Sequence, residues 1–304
     1  MIRILVPALF FFLVQLNHTK GQNYFYNARY YEPNLLLKAG MGWGAMLALT
    51  DLGGHKGQNR PFLWDANLEC THLCALFFAE VDFQKGWSLR WQYTGGTVSG
   101  ADSLAGNGDR YAQLRNWRNL QFLSKIRETA LLLKWAPIVF SKKNGSGGAG
   151  ELYVELGIGL FHFAPSAFDG NHLVALAPLH TEGQYLRDGK KSTRYPLTQA
   201  NLPLGLGLQL DCNARWQLNL EVQYRILFTD YLDDVSTEYP GKEYLEKYLG
   251  GESLRTTLYW SDRRKKMERP GAYNSTTKRG NPRRNDGYGT LTAQLVYVIN
   301  RKKR

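Results

Sequence analysis

The chain has 304 residues, 43% of them hydrophobic and 13% aromatic, with 31 glycines and a formal net charge of +12. Its apolar residues are dispersed: after an N-terminal run there is no second stretch of about 20 apolar residues, which excludes a bundle of membrane-spanning helices. A soluble β-sandwich would have a similar composition, so the number of strands and the lengths of the loops must decide the fold.

The N-terminus has the parts of a secretory signal peptide. A positive start at Arg3 is followed by an apolar run over residues 4–16 and by the small residues Thr19 and Gly21. We therefore expect residues 1–21 to be a signal peptide and residues 22–304 to form one outer-membrane β-barrel domain; an uncleaved anchor is the alternative. The run is too short to span a bilayer as a helix, so a mature chain in a membrane must span it as a closed barrel.

Eight segments alternate apolar and polar residues with a period of two, which predicts strands with one apolar face. The clearest are two consecutive strands joined by a tight turn at residues 212–214, where Leu204 and Leu206, and later Trp216 and Val222, share the apolar face. The connections between strands alternate between long and short along the chain. The eight segments are residues 34–47, 69–83, 87–94, 120–135, 152–161, 202–210, 216–228 and 290–299.

An antiparallel up-and-down arrangement of these strands places every long loop at one end, as in outer-membrane barrels. A β-sandwich has no reason to do so while keeping strict alternation. We therefore predict an all-β fold: an eight-stranded antiparallel up-and-down transmembrane β-barrel with long loops on one side. Eight strands leave a lumen filled by side chains. Charged residues on the lumen face must pair there, and they are Lys38, Glu80, Arg90, Glu128, Glu155, Glu221 and Arg225.

One loop entry, residues 228–240, carries the sequence Thr-Asp-Tyr-Leu-Asp-Asp-Val at positions 229–235. Together with residues 118–120, 157–165, 178–184 and 195–199, it resembles the PorG-like outer-membrane proteins of the Bacteroidota, which belong to the type IX secretion and gliding apparatus. The resemblance implies a non-enzymatic scaffold in the outer membrane of a Gram-negative bacterium. Such a scaffold helps to tether or assemble the periplasmic ring of the machine, with a periplasmic ring protein and a lipoprotein as partners.

The resemblance also marks candidate residues for loop structure or partner contact. Asp230, Asp233 and Asp234, with Glu238, could bind a hard cation through oxygens. Their spacing lacks the glycine-bearing pattern of a calcium loop, and acidic side chains that cap turns explain the cluster equally well, so we predict no metal and no cofactor. The candidates are Thr229, Asp230, Tyr231, Leu232, Asp233, Asp234, His180, Glu182 and Gly183.

The sequence allows two functions other than a scaffold, an enzyme and a binding barrel. His162, His172 and His180, with Ser166 or Asp169, would suit a lipid-modifying enzyme, but no nucleophile motif is present and no catalytic residue is predicted. A stand-alone adhesion or ligand-binding barrel is the main alternative to the scaffold.

The cysteines suggest no disulfide framework, because Cys70 and Cys74 would lie roughly 13 Å apart along one strand.

Basic residues are concentrated late in the chain. In a soluble protein they would suggest nucleic acid, but a signal peptide and a barrel argue against that partner. We expect contact with lipid phosphates on the outer face, contact with an acidic partner at the periplasmic end, or a solvated charge run. Residues 241–255 have helical spacing, which predicts a short helix that caps the barrel or docks a partner. The basic candidates are Arg263, Arg264, Lys265, Lys266, Arg301, Lys302, Lys303 and Arg304.

Overall fold

The computed structural model describes residues 35–52, 68–83, 86–106, 110–140, 150–170, 172–184, 186, 195–213, 215–264 and 278–300. Eight long strands pair antiparallel with their chain neighbours, and β1 pairs with β10, so the sheet closes into the predicted up-and-down barrel. The barrel strands are β1 Leu36–Leu49, β2 His72–Asp82, β3 Trp87–Ala101, β4 Gln121–Phe140, β5 Gly150–His162, β8 Thr198–Asp211, β9 Trp216–Leu227 and β10 Gly287–Val298; β6 Pro165–Asp169 and β7 His172–Ala175 form a small hairpin between β5 and β8.

The outer surface of the barrel is apolar. Along β1, Leu37 and Met41 are exposed, whereas Lys38 between them is buried in the lumen, and the other strands follow the predicted faces. Near the short-turn end, the rings of Trp87 and Trp135 stack with centroids 5.7 Å apart. Such an aromatic pair below an apolar band is the arrangement of a transmembrane barrel at the membrane interface.

Ion pairs fill the lumen. The guanidinium of Arg90 contacts Glu80 at 2.9 Å and Glu221 at 2.7 Å, and it lies 3.4 Å from Glu155. Higher in the barrel, Arg225 pairs with Glu128 at 3.0 Å. The prediction that the lumen charges pair with one another is confirmed, and these side chains fill the interior of the barrel.

Two strands run well past their predicted C-terminal ends. β3 continues to Ala101, although we expected a loop from Gly95, because its last residues pair with the first residues of β4 as far as Ala101 and Gln121. This pairing satisfies the backbone of a hairpin that rises beyond the barrel rim. Gly100 lies in this extension, where a Cβ would come within 2.5 Å of the Leu52 carbonyl oxygen. At the other end, β4 runs to Phe140 past an irregularity after Trp135.

Within the described residues, the long loops contain three helices: α1 Arg110–Arg118, α2 Lys242–Tyr248 and α3 Gly251–Ser261. The single helix expected over residues 241–255 is therefore two, because the backbone is extended at Leu249 and Gly250. Within the described part of the chain, no helix is both long and apolar enough to cross a bilayer. We call these helices, β6, β7 and loop residues 176–186, 228–240 and 278–286 together the cap.

The structure describes all three cysteines but not the proposed signal peptide. Cys70, Cys74 and Cys212 are free, and the first two are buried. The proposed signal peptide, residues 1–21, lies outside the described residues and stays a prediction. Short 3-10 segments at Leu68–Cys70, Asp102–Ala105 and Ala177–Leu179 complete the connections on the cap side of the barrel.

Candidate functional site

The segments that carry the family resemblance lie far apart in sequence but meet in the cap. The Tyr195 hydroxyl donates to Asp234 at 2.6 Å, and the Tyr195 ring stacks on Phe163 with centroids 6.2 Å apart. Arg118 donates to the carbonyl oxygens of Arg279 and Asp51, each at 2.8 Å. One connected network therefore ties the loops to one another above the barrel.

Asp234 is the centre of this network. Its carboxylate accepts hydrogen bonds from Thr181, Tyr195 and Gln184, and its carbonyl oxygen accepts one from Arg279. The residue is fully buried and has a φ of 62°, a left-handed backbone that Asp tolerates better than most residues. Burial raises the pKa of Asp234 to about 6, while Arg279 and the donated hydrogen bonds oppose the shift.

A buried ion pair supports the same loop. Arg279 contacts Glu182 at 2.9 Å, and Glu182 also accepts hydrogen bonds from the backbone N–H groups of Ser236 and Thr237, each at 2.9 Å. Burial opposes the charge of Arg279, but Glu182 and Asp234 hold the pKa of Arg279 above its usual value. The pair thus joins the turn at residues 180–184 to the loop that follows β9.

Four carboxylates lie near one another beneath these contacts: Asp51, Asp230, Asp233 and Asp286. Burial and the neighbouring carboxylates raise the pKa of Asp230 to about 9 and that of Asp233 to about 8, and they hold that of Asp286 well above its usual value. Asp233 accepts hydrogen bonds from the N–H groups of Val235 at 2.9 Å and Leu52 at 3.2 Å. In the described residues, no group of three or more His, Cys, Asp or Glu side chains is arranged to hold a metal ion.

The raised pKa of Asp230 predicts that the cap loses stability as the pH rises. The folded cap keeps a proton that the unfolded chain releases above pH 3.8, the ordinary pKa of Asp, so this contribution is full below pH 3.8 and is lost as the pH rises towards about 9. Each retained proton contributes a slope of about 1.4 kcal/mol per pH unit.

Asp230→Asn should therefore flatten the pH dependence of cap stability by about one proton and stabilise the cap most on the alkaline side. Protease cleavage of the cap, followed from about pH 5 to about pH 8 in both proteins, measures this difference. An equally steep loss of protection in the variant would contradict the assignment.

The structure places the remaining candidate residues in distinct environments. Thr229, Leu232 and Asp233 are buried, so they hold the cap together and are not exposed to a partner. Gly183 has a φ of 73°, and a Cβ there would come within 2.9 Å of the Tyr244 ring. His180 lies at the same turn, where its Nδ1 contacts the carbonyl oxygen of Gln184.

The basic candidates are only partly described. The Arg263 guanidinium lies 4.9 Å from the Trp260 ring centroid, and that of Arg264 lies 3.8 Å from the Tyr239 ring centroid. Arg264 also pairs with Asp262 at 2.7 Å. Both arginines therefore pack on cap aromatics. Lys265, Lys266, Arg301, Lys302, Lys303 and Arg304 lie outside the described residues.

The residues considered for a hydrolase have separate partners. His162 contacts the Thr198 hydroxyl at 2.9 Å, and Ser166 donates to the Ala164 carbonyl oxygen at 3.3 Å. Asp169 accepts from the Tyr259 hydroxyl at 3.2 Å. These contacts do not assemble a nucleophile with its base.

A groove of 1380 Å³ opens on the cap beside the network. Its floor is formed by the turn around Glu182 and Gly183, both candidates from the sequence. Its sides carry aromatic rings and exposed basic side chains, which include Tyr231, Tyr239, Tyr244, Lys278 and Arg283.

No family model matches the chain, and no curated protein matches it. Among solved structures, the attachment invasion locus protein Ail of Yersinia pestis, solved with the heparin analogue sucrose octasulfate, is 7% identical with a TM-score of 0.36, and the match covers 88% of this chain and 100% of Ail. Neisserial surface protein A is 9% identical with a TM-score of 0.37, covering 88% of this chain and 98% of that one. The N-terminal β-barrel domain of Pseudomonas aeruginosa OprF is 7% identical with a TM-score of 0.33 and the same two coverages.

At such low identities and TM-scores, these likenesses say nothing about what the chain binds. The barrel is established by its own closed strand pairing and by its apolar outer face.

The residues of the cap network that were not singled out from the sequence include Arg279, Asp286 and Asp102. Arg279 was one of many basic residues in a long loop, and nothing in its neighbours marked it as the buried one. Asp286 accepts from the Leu232 N–H at 2.9 Å, and its place directly before β10 was the only signal. Asp102, which pairs with Arg118 at 2.8 Å, lay in a segment that we expected to be a loop.

Proposed function

We propose that this chain is a non-enzymatic outer-membrane barrel that serves as a scaffold of the type IX protein secretion machinery, where it helps to tether or assemble the periplasmic ring. Outer-membrane lipid surrounds its apolar face, and a periplasmic ring protein and a lipoprotein are its partners. No nucleic acid has a role in this proposal.

The observation that carries the proposal is the convergence of the resemblance segments in one buried network around Asp234. Those segments supply several hydrogen bonds of the cap, which supports a shared role for them. The packed lumen, with Arg90 among three carboxylates, supports a scaffold better than a transport pore.

A pull-down in mild detergent from outer membranes tests the proposal. The tagged full-length chain should retain a periplasmic ring protein and a lipoprotein. Replacing the four basic residues 301–304 with serine should reduce retention, because a basic end favours an acidic partner. The matched control replaces Arg263 and Arg264 with alanine in the cap and should retain both partners. Absence of partners, in cells that still secrete without this chain, would contradict the scaffold role.

The groove favours a second candidate, a ligand-binding or adhesion barrel. A surface groove with fixed aromatic rings is a feature of binding sites and is not required by a tether. In that case, changes in the cap alone would abolish function, whereas changes at the short-turn end would leave it intact.

A further inference from the structure

The groove is a built feature of the cap and not a gap between loops. One side is a short ribbon in which Arg279 donates its N–H to the Thr237 carbonyl oxygen at 2.9 Å and Glu238 forms a β-bridge with Lys278. The opposite side is α2, where the Tyr244 hydroxyl contacts the Leu186 carbonyl oxygen at 3.3 Å. At 1380 Å³, the groove exceeds the roughly 300–1,000 Å³ of a typical small-molecule pocket, so it suits a ligand that extends along it.

Tyrosine rings are held in place along this groove. The Tyr231 ring stacks on Tyr195 with centroids 4.5 Å apart and an interplanar angle of 7°. Tyr239 is held by the Arg264 guanidinium, 3.8 Å from its ring centroid. Rings fixed in this way offer apolar faces, which fit the C–H faces of sugar rings.

The rim of the groove is basic. Lys278 and Arg283 are exposed there, while Glu182 on the floor is already paired with buried Arg279. Glu238 also lines the groove and is exposed, and its charge is opposite to that of Lys278 and Arg283.

We propose that the groove binds an anionic oligosaccharide, whose rings pack on the tyrosines and whose carboxylate, phosphate or sulfate groups pair with Lys278 and Arg283. The sugars of lipopolysaccharide in the surrounding leaflet and a free acidic polysaccharide share this chemistry. The inference does not depend on the scaffold role, because a groove on the cap can bind a sugar whichever partner the periplasmic end contacts.

The test titrates the full-length chain, in lipid vesicles, with a short oligogalacturonate and with a neutral malto-oligosaccharide of the same length. The acidic sugar should bind, the neutral one should bind much more weakly, and added salt should weaken the acidic complex. Replacing both Lys278 and Arg283 with alanine should lower the affinity about tenfold. Tyr239→Phe keeps the ring and should bind, whereas Tyr239→Ala should not.

The matched control is Arg255→Ala, which removes an exposed basic residue of α3 outside the groove lining. Equal affinity for the two sugars, or an equal loss in the control and the double variant, would overturn the proposal. Circular dichroism confirms that each variant is folded. Vesicles with and without lipopolysaccharide distinguish the two sources: sugars of the lipid would compete with the added ligand only in the first, whereas a free polysaccharide would bind equally in both.

Discussion

Replacing Arg90 with alanine is expected to lower the free energy of unfolding of the barrel by about 3–5 kcal/mol. The side chain is fully buried in the lumen and contacts Glu80 at 2.9 Å and Glu221 at 2.7 Å. Removing it leaves these carboxylates buried without their shared cation, and the Phe78 ring, 4.2 Å from the guanidinium, loses its packing partner. Urea unfolding in lipid vesicles, followed by tryptophan fluorescence, measures the loss.

A matched arginine on the outer face supplies the control. Arg127 lies on β4 and is exposed, so Arg127→Ala should change the free energy of unfolding by less than about 1 kcal/mol. Combining Arg90→Ala with Glu221→Gln should cost less than the sum of the two single changes, because the neutral amide no longer needs the cation. Equal losses for Arg90→Ala and Arg127→Ala would show that the lumen charges are not stabilised by pairing.

The second large effect is expected at Asp234. Asp234→Ala should lower the stability of the cap by about 2–4 kcal/mol, because Tyr195, Thr181 and Gln184 lose a buried acceptor together and Arg279 loses a carboxylate 4.0 Å away. The barrel strands keep their own hydrogen bonds, so the cap should become sensitive to protease while the barrel stays folded. Limited proteolysis with mass spectrometry would locate the first cuts in residues 176–186 and 228–240.

Asp234→Asn is the conservative comparison. It keeps an oxygen acceptor for Tyr195 and a side chain that tolerates a φ of 62°, so it should retain more protection than alanine. An exposed acid gives the baseline: Glu246 forms a surface pair with Lys242 at 3.0 Å, and its loss should cost about 0.3–0.5 kcal/mol. If Glu246→Ala opened the cap as readily as Asp234→Ala, Asp234 would not be the centre of the network.

These expectations separate two layers of the molecule. The lumen is held by ion pairs among strands, and the cap by a network between loops that are remote in sequence. The cap contains carboxylates with raised pKa values, so its stability depends on pH. The groove is bordered by cap residues, and the short turns lie at the other end of the barrel. A function carried by one end can therefore be tested without disturbing the other.

The faces of all eight barrel strands followed from the sequence, because the period-two alternation that sets them is a property of adjacent residues. Leu204 and Leu206, two positions apart, must share one face of their strand, and that face is the exposed outer one. The closed barrel was also predicted from the sequence, because alternating long and short connections place all long loops at one end, as in outer-membrane barrels. The extension of β3 to Ala101 did not, because its glycine-rich sequence forms strand only through pairing with β4.

The tertiary structure alone decided which charges meet. Arg90 and Glu221 are 131 positions apart, and Arg279 lies 97 positions from Glu182, so no local pattern could select these partners. The strand register sets the first pair, and the folding of the loops over the barrel sets the second. The sequence identified the turn at residues 180–184 and the loop at residues 229–235 as separate segments. Only the fold joined them at Asp234, because the hydrogen bonds that unite them require both loops to be in place.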